Sequence, residues 1–508
     1  MSLVSGALAL CATVLLGCGR IGFDVATDGG QDGDGDGGDA ADADLGGIDT
    51  AYVTPLTMGM FDLFGYAVAL SADGSTLAVG AYGEQSAATT INGDMNDNSA
   101  NYAGAVYVFV RSGDAWQQQA YLKAANAGTG DVLGFAIAIS ADGNTIVAGA
   151  PDEDGGATTI NGANDDTKDS AGAAYVFVRV GTTWSQEAYL KASNSDPGDN
   201  YGGAVSISGD GNTIAIGAFT EDGDGTGATG LPASNGASDA GAVYILTRAG
   251  TTWTQQTYLK ASNTNSNDHF GDEVSLSAGG QLLAVAATGE SSGARGVGGD
   301  QLDNSQPQAG AVYVFERAGN TWLQTAYIKA SNPDGGDFFG YGISLSATGA
   351  TLAVSAEGED GPSFGVGGAQ IEGAGQAGAA YVFENTGTWA ETAYLKATNT
   401  GTEDRLGRSI AVSGDGRTIL VGAPQEDSGE TGLAATGADE SAADSGAAYL
   451  YRRVGASWNV AYLKASNTAV GDSFGVSVAL SATGETLVIG ASRKDDGGTD
   501  TGAVYVIE

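Results

Sequence analysis

Cysteine is almost missing from this chain, and the two it has, Cys11 and Cys18, both lie in the first 18 residues. The rest of the protein therefore has no disulfide, no thiol nucleophile and no thiolate metal site, and must be held together by packing. Histidine is limited to His269, which leaves no second imidazole for a catalytic pair and makes a surface or turn role the plain reading. Proline is scarce, 8 of 508 residues, and the 84 glycines follow no three-residue period. That excludes collagen and a Pro-rich disordered chain and suits turn-rich β structure. Basic residues are few as well: 20 Lys and Arg stand against 61 Asp and Glu, a formal net charge of -41. Nucleic-acid phosphates would be repelled over most of such a surface. The acidity suits cation binding and equally suits solubility in a salty medium, and composition does not separate the two.

Long apolar runs are also lacking. "LVSGALALCATVLLG" has 15 residues, short of the ~20 a helix needs to cross a bilayer, and reads as an export signal. It ends in Leu15-Leu16-Gly17-Cys18, which resembles the lipobox of bacterial lipoproteins and implies lipidation of Cys18 after cleavage of residues 1–17. No Lys or Arg precedes the apolar run, a departure from the usual signal. Residues 18–50, with "DGGQDGDGDGGDAADAD", carry too little apolar surface to fold and are expected to form an acidic tether. The "DGDGDGG" from Asp32 imitates the start of a calcium loop, but Ala43 stands where the twelfth-position Glu belongs.

From residue 51 onward one pattern repeats. The glycines Gly65, Gly134, Gly202, Gly271, Gly340, Gly407 and Gly475 are 67 to 69 residues apart, a spacing that fits a four-stranded unit repeated around a ring. In the first copy "FGYAVALS" is strand 1, "STLAVGA" strand 2, "GAVYVF" strand 3 and "WQQQAYLKA" strand 4. Strands 1 and 2 meet at Asp-Gly in four copies, which predicts two-residue hairpins with positive φ. Such sheets bury each other's faces only when arranged radially, so the fold expected over residues 51–508 is an all-β, seven-bladed propeller of four-stranded antiparallel blades. The last copy stops at Glu508 without a strand 4, whereas Tyr52 precedes Phe64 by the same 12 residues that separate each strand 4 Tyr from the next repeat Gly's neighbour. The N-terminal "AYVTP" is therefore expected to complete blade 7 and close the ring.

The repeated "FGxSVALSADG…LAVGA" followed by "GAVYVF" resembles the FG-GAP repeat of integrin α-subunit propellers and of bacterial proteins built from the same unit. The resemblance covers residues 51–508 and implies a seven-bladed propeller used outside the cell for adhesion or ligand binding. The integrin relatives hold calcium in some longer strand 1–2 connections. All seven connections here are short, so calcium is not expected at that position.

In such a blade the 1–2 and 3–4 turns leave one face of the disc, and the 2–3 and 4–1 connections the other. Most 2–3 loops run to about 20 residues, which makes theirs the expected binding face. An Asp three residues before the repeat Gly recurs in every blade: Asp62, Asp131, Asp199, Asp268, Asp337, Asp404 and Asp472. A Glu recurs in six (Glu84, Glu153, Glu221, Glu290, Glu359, Glu426), with Lys494 in the seventh. A residue present in every blade serves the blade, the Asp by accepting backbone N–H bonds in a turn. Sites belong where the symmetry breaks. Arg405, Arg408, Arg493 and Lys494, all in blades 6 and 7, are candidates to converge on a carboxylate or sulfate. Asp94, Asn96 and Asn98 in one loop, and Asp222 and Asp224 in another, offer oxygens suited to calcium, though neither set is complete.

These residues point to a lipid-anchored, exported, monomeric binding or adhesion module of a bacterial cell envelope, with a protein or glycan ligand, no nucleic-acid partner and no cofactor beyond calcium. Its only membrane contact is the anchor. A carbohydrate-binding lectin is the alternative, weakened by loops poor in aromatic residues. A glycan hydrolase working with paired carboxylates is third, since the repeats carry no Cys and no second His for other chemistry.

Overall fold

The computed structural model describes residues 50–228, 234–371, 373–433 and 435–508. The Cys18 anchor, the "DGDGDGG" tract and the expected signal and tether up to residue 49 lie outside the described residues. All regular elements among the described residues are β-strands, and no helix there is long and apolar enough to cross a membrane.

The strands pair into seven antiparallel four-stranded sheets. Blade 1 consists of Ala67–Leu70, Thr76–Ala81, Ala105–Ser112 and Ala115–Leu122, and the next five blades repeat this plan in sequence order. Burial follows position. The second strand, TLAVGA in blade 1, is buried at every residue, because small and β-branched side chains on both its faces meet neighbouring blades. The fourth strand starts exposed and ends buried, as in TWSQEAYL of blade 2.

Neighbouring blades touch almost at the backbone, and glycine makes that distance achievable. A Cβ on Gly149 would lie 1.9 Å from the carbonyl oxygen of Gly202 in the next blade, and one on Gly217 1.9 Å from that of Gly271. The repeat Gly itself takes a φ of 89° to 105°, a region open to glycine alone.

The strand 1–2 connections differ from the two-residue hairpins expected. In blade 1, Ser71 N–H bonds Thr76 O and Gly74 N–H bonds Ser71 O, so Ala72 to Ser75 form a four-residue link. Only the Gly is left-handed, with φ 73° at Gly74. Asp73 is instead held by its carboxylate, which accepts from Ser71 Oγ at 2.7 Å and Ser75 N–H at 3.0 Å; this Asx geometry keeps it in the ordinary region of φ.

The ring is closed twice. Blade 7 consists of Phe474–Leu480, Leu487–Ala491 and Ala503–Ile507, and its fourth strand is Thr50–Val53, antiparallel to Ala503–Ile507 with Tyr52 opposite Tyr505. At the hairpin end a second closure runs through the backbone. Ala72 N–H donates to Ala141 O, Ala141 to Gly209, Gly209 to Ala278, Ala278 to Ala347, Ala347 to Gly414, Gly414 to Ala482, and Ala482 back to Ala72. This circle of interblade hydrogen bonds ties all seven blades together at the hairpin end.

Candidate functional site

The recurrent acidic residues are used inside the blades. Each repeat Asp accepts the backbone N–H three residues before it, from Gly59 to Asp62 at 2.7 Å through Ala469 to Asp472 at 2.8 Å, pinning the turn that enters the inner strand. Burial pushes the carboxyls of Asp62, Asp131, Asp199, Asp268, Asp404 and Asp472 up, to about 7 for Asp131, Asp199, Asp268 and Asp404. The recurrent Glu lies deeper. In blade 3, Glu221 takes Lys260 Nζ at 3.0 Å and Gly223 N–H at 2.8 Å on one oxygen, and Tyr258 Oη and Asn194 Nδ2, both at 2.8 Å, on the other. Asn194 belongs to the preceding blade and also accepts from Tyr244 Oη. The same Glu–Lys pair recurs in all six blades that carry the Glu. Charges so fully hydrogen-bonded are blade fasteners.

The long 2–3 loops are docked as well. Asn92 N–H bonds Tyr121 O and its Oδ1 accepts Tyr121 N–H at 2.9 Å, and Asn161 does the same with Tyr189. These loops lie against their own outer strands.

Of the four predicted cations, Lys494, Arg405 and Arg408 have different bonded partners, and Arg493 and Arg408 both act on the Tyr82 hydroxyl. Lys494 is 7% exposed, its ammonium bonded to Asp472 at 2.9 Å and to Asn467 O at 2.8 Å, so it fastens blade 7. Arg493 is exposed at the same corner. Arg405 takes a left-handed φ of 53° and lies 3.8 Å from Glu357, with a 3.2 Å bond to Gln376. Burial pushes Glu357 up to about 7, against the pull of Arg405. Only Arg408 enters the channel. The loop oxygens take hydrogen bonds within their loops: Asp94 Oδ1 accepts Asn96 N–H, Asp222 Oδ1 accepts Asp239 N–H and Asp224 Oδ1 accepts Ser234 Oγ, while Asn98 is exposed. Among the described residues no three His, Cys, Asp or Glu are grouped to hold a metal.

Asymmetry concentrates at one ring position, the residue after the repeat Gly, which every inner strand delivers to the channel mouth. Blades 1, 2 and 5 place Tyr66, Phe135 and Tyr341 there; blades 4 and 6 place Asp272 and Arg408. Gly203 and Val476 leave the remaining wall low. The cavity they enclose is about 370 Å³, within the range of small-ligand sites. Tyr66 packs edge-on to Tyr82 at 4.5 Å and lies 5.3 Å from Phe135. Phe219 adds a further aromatic wall and Glu273 a second carboxylate. Asp272 accepts from Thr288 Oγ1, and burial raises its carboxyl against the pull of that bond, His269 and Arg408. Glu273 is pushed up to about 8, first by burial and then by the Asp272 charge. The Arg408 guanidinium sits 4.8 Å over the Tyr341 ring, with Nη2 3.4 Å from Tyr66 Oη. His269 is placed edge-on to Phe219 at 6.2 Å.

Reading basic residues and loops found Arg408 and missed the rest. The missed signal was the alternation of Tyr, Phe, Gly, Asp, Tyr, Arg and Val at one register of an otherwise uniform repeat.

The FG-GAP repeat family matches residues 116–177, 184–246, 253–315, 322–383, 389–451 and 458–507, and comparison with the curated proteins finds no match. Each of the first five segments starts at the Trp of one blade's outer strand and runs through the third strand of the next. The family unit thus straddles the interblade contact where the glycines and the Asn–Glu–Lys fasteners lie. With more than half of its length in such units, wound into seven blades, this chain belongs to the FG-GAP repeat family of β-propellers.

Proposed function

We propose that the protein is a non-catalytic ligand-binding and adhesion module of the cell envelope, exported and lipid-anchored at Cys18, that receives its partner on the loop-rich face at the channel mouth. One observation carries this reading. In a ring whose recurrent charges are internally bonded, the residues that follow the repeat Gly differ from blade to blade and meet in one cavity, where a ligand would find polar groups with bonding capacity to spare. A glycan is the second reading for the partner, favoured by Tyr66, Phe135, Phe219 and Tyr341 at that mouth, since aromatic faces stack on sugar rings. These aromatics come from inner strands and their corners and offset the poverty of the long loops.

Binding of the purified protein to arrayed glycans and to envelope and matrix proteins, repeated with Tyr66→Ala and Arg408→Ala, tests the reading. Binding lost in both variants at unchanged melting temperature supports it. Binding that ignores both moves the site elsewhere, and release of shortened glycan products rejects a non-catalytic module. Palmitate labelling that disappears in Cys18→Ser tests the anchor.

A further inference from the structure

The channel mouth sets two acidic side chains and a guanidinium on different blades without an ion pair between them. Asp272 and Glu273 stand on blade 4 and Arg408 on blade 6, and between them, on blade 5, the ring of Tyr341 carries the guanidinium on its face at 4.8 Å. Among the described residues Arg408 has one hydrogen bond, to Tyr66 Oη at 3.4 Å, and no carboxylate within ion-pair distance. Glu273 has one as well, from the backbone N–H of Val274 at 3.2 Å. Most of the guanidinium fork and most of the Glu273 lone pairs are thus unspent on the walls of one cavity of about 370 Å³. The rest of that wall is made of Tyr66, Phe135, Phe219, Tyr341 and aliphatic side chains, together with Ser409 and Ser477, whose hydroxyls donate to the carbonyls of Gly475 and Gly65.

We propose that this cavity binds a small zwitterion, its ammonium held by Asp272 and Glu273, its carboxylate by the Arg408 fork, and its apolar body laid against Tyr66, Phe135 and Phe219. A free α-amino acid with a large apolar side chain is the chemical class. A ligand with only a carboxylate would leave the acidic wall without a partner, and one with only an ammonium would leave the Arg408 fork without one, whereas a ligand carrying both serves both. The planar guanidinium matches a carboxylate with two parallel bonds, and the aromatic faces also favour an ammonium group. The volume admits an amino acid and excludes a folded segment. This inference rests on the reading that ligands enter at the loop-rich face.

Calorimetric titration of the full chain with L-phenylalanine, phenethylamine and 3-phenylpropionate separates the charges on one ring. L-Phenylalanine is expected to bind at least about tenfold tighter than either analogue. Arg408→Gln should reduce it to the level of phenethylamine while leaving phenethylamine unchanged, and Glu273→Gln should reduce it to the level of 3-phenylpropionate. Should Arg408→Gln unfold early, Arg408→Lys keeps the charge without the fork, and weakened L-phenylalanine binding supports the same assignment. Equal binding of L-phenylalanine and phenethylamine, no binding of L-phenylalanine, or indifference to both substitutions overturns the proposal. If glycans or proteins bind the face and L-phenylalanine does not, the zwitterion site falls and the binding module stands; if L-phenylalanine alone binds, the site stands and adhesion falls.

Discussion

Lys494 Nζ lies 2.9 Å from Asp472 Oδ2, and this pair replaces the Glu–Lys fastener of the other six blades. The blade 7 outer strand comes from the N-terminus, where Tyr52-Val53-Thr54 stands against Tyr121-Leu122-Lys123 of blade 1. Its missing lysine is supplied from the opposite partner's position, where the other blades carry Glu. The charge is conserved by swapping sides.

Lys494→Ala therefore leaves the Asp472 carboxylate buried without its cation, and a loss of roughly 3–5 kcal/mol is expected in urea unfolding. The double substitution Lys494→Glu with Thr54→Lys rebuilds the pattern of blades 1 to 6 and should recover a large part of that loss. No recovery would show that the swap is incidental.

Removing residues 51–58 deletes the strand paired with Ala503–Ile507 and opens the apolar cluster that Val53 shares with Val504 and Val506. The melting temperature and the steepness of unfolding should both drop, and the bared edge should promote association visible in size-exclusion chromatography. The backbone circle through Ala72 and Ala482 remains, so a folded but less cooperative ring is expected.

Gly149→Ala puts a methyl group where Gly202 O stands at 1.9 Å, and the blades must separate to admit it. A loss of roughly 1–3 kcal/mol is expected from overpacking. Gly113→Ala, with nothing within 4 Å, should cost only the ~1–2 kcal/mol of a left-handed alanine. Ala286 already occupies the position of Gly149 in blade 4, so Ala286→Gly should be milder than either. Chemical denaturation of the three variants ranks them directly.

Stability should rise as pH falls from about 7.5 to 5. The carboxyls of Asp131, Asp199, Asp268 and Asp404 are pushed up to about 7 and that of Asp62 to about 6 by burial, whereas an unfolded Asp titrates near ~4. Between those values the native chain binds more protons than the unfolded one, so stability is greatest on the acid side and is lost as pH climbs through the native values. Self-repulsion at a net charge of -41 acts in the same direction. A melting temperature that is flat or falls on acidification over this range contradicts the assignment.

The blade plan was open to reading because each of its rules is local or periodic. Gly-Ala endings, Asp at fixed offset, and Trp and Tyr at the two ends of the outer strand all recur at one period, so seven copies vote on each position. The one local rule that misled was Asp-Gly as a two-residue turn: Ser71 Oγ captures Asp73 and lengthens the link. The roles of Glu221, Lys260 and Asn194 could not be read because they meet across strands and blades 27 to 39 residues apart. Arg405 and Arg408 are three residues apart, yet one lies beside Glu357 and the other over Tyr341 in the channel.

The sequence by itself determined the β architecture, the count of seven and the strand that closes the circle, because repetition turns one set of local preferences into a global count and a missing strand at one end into a demand at the other. Only the tertiary structure decided which charges are spent and which are free. Salt bridges and cavities depend on distances between residues that the ring brings together from all seven blades, and one side chain of turn inside or outside the channel is invisible to a pattern read along the chain.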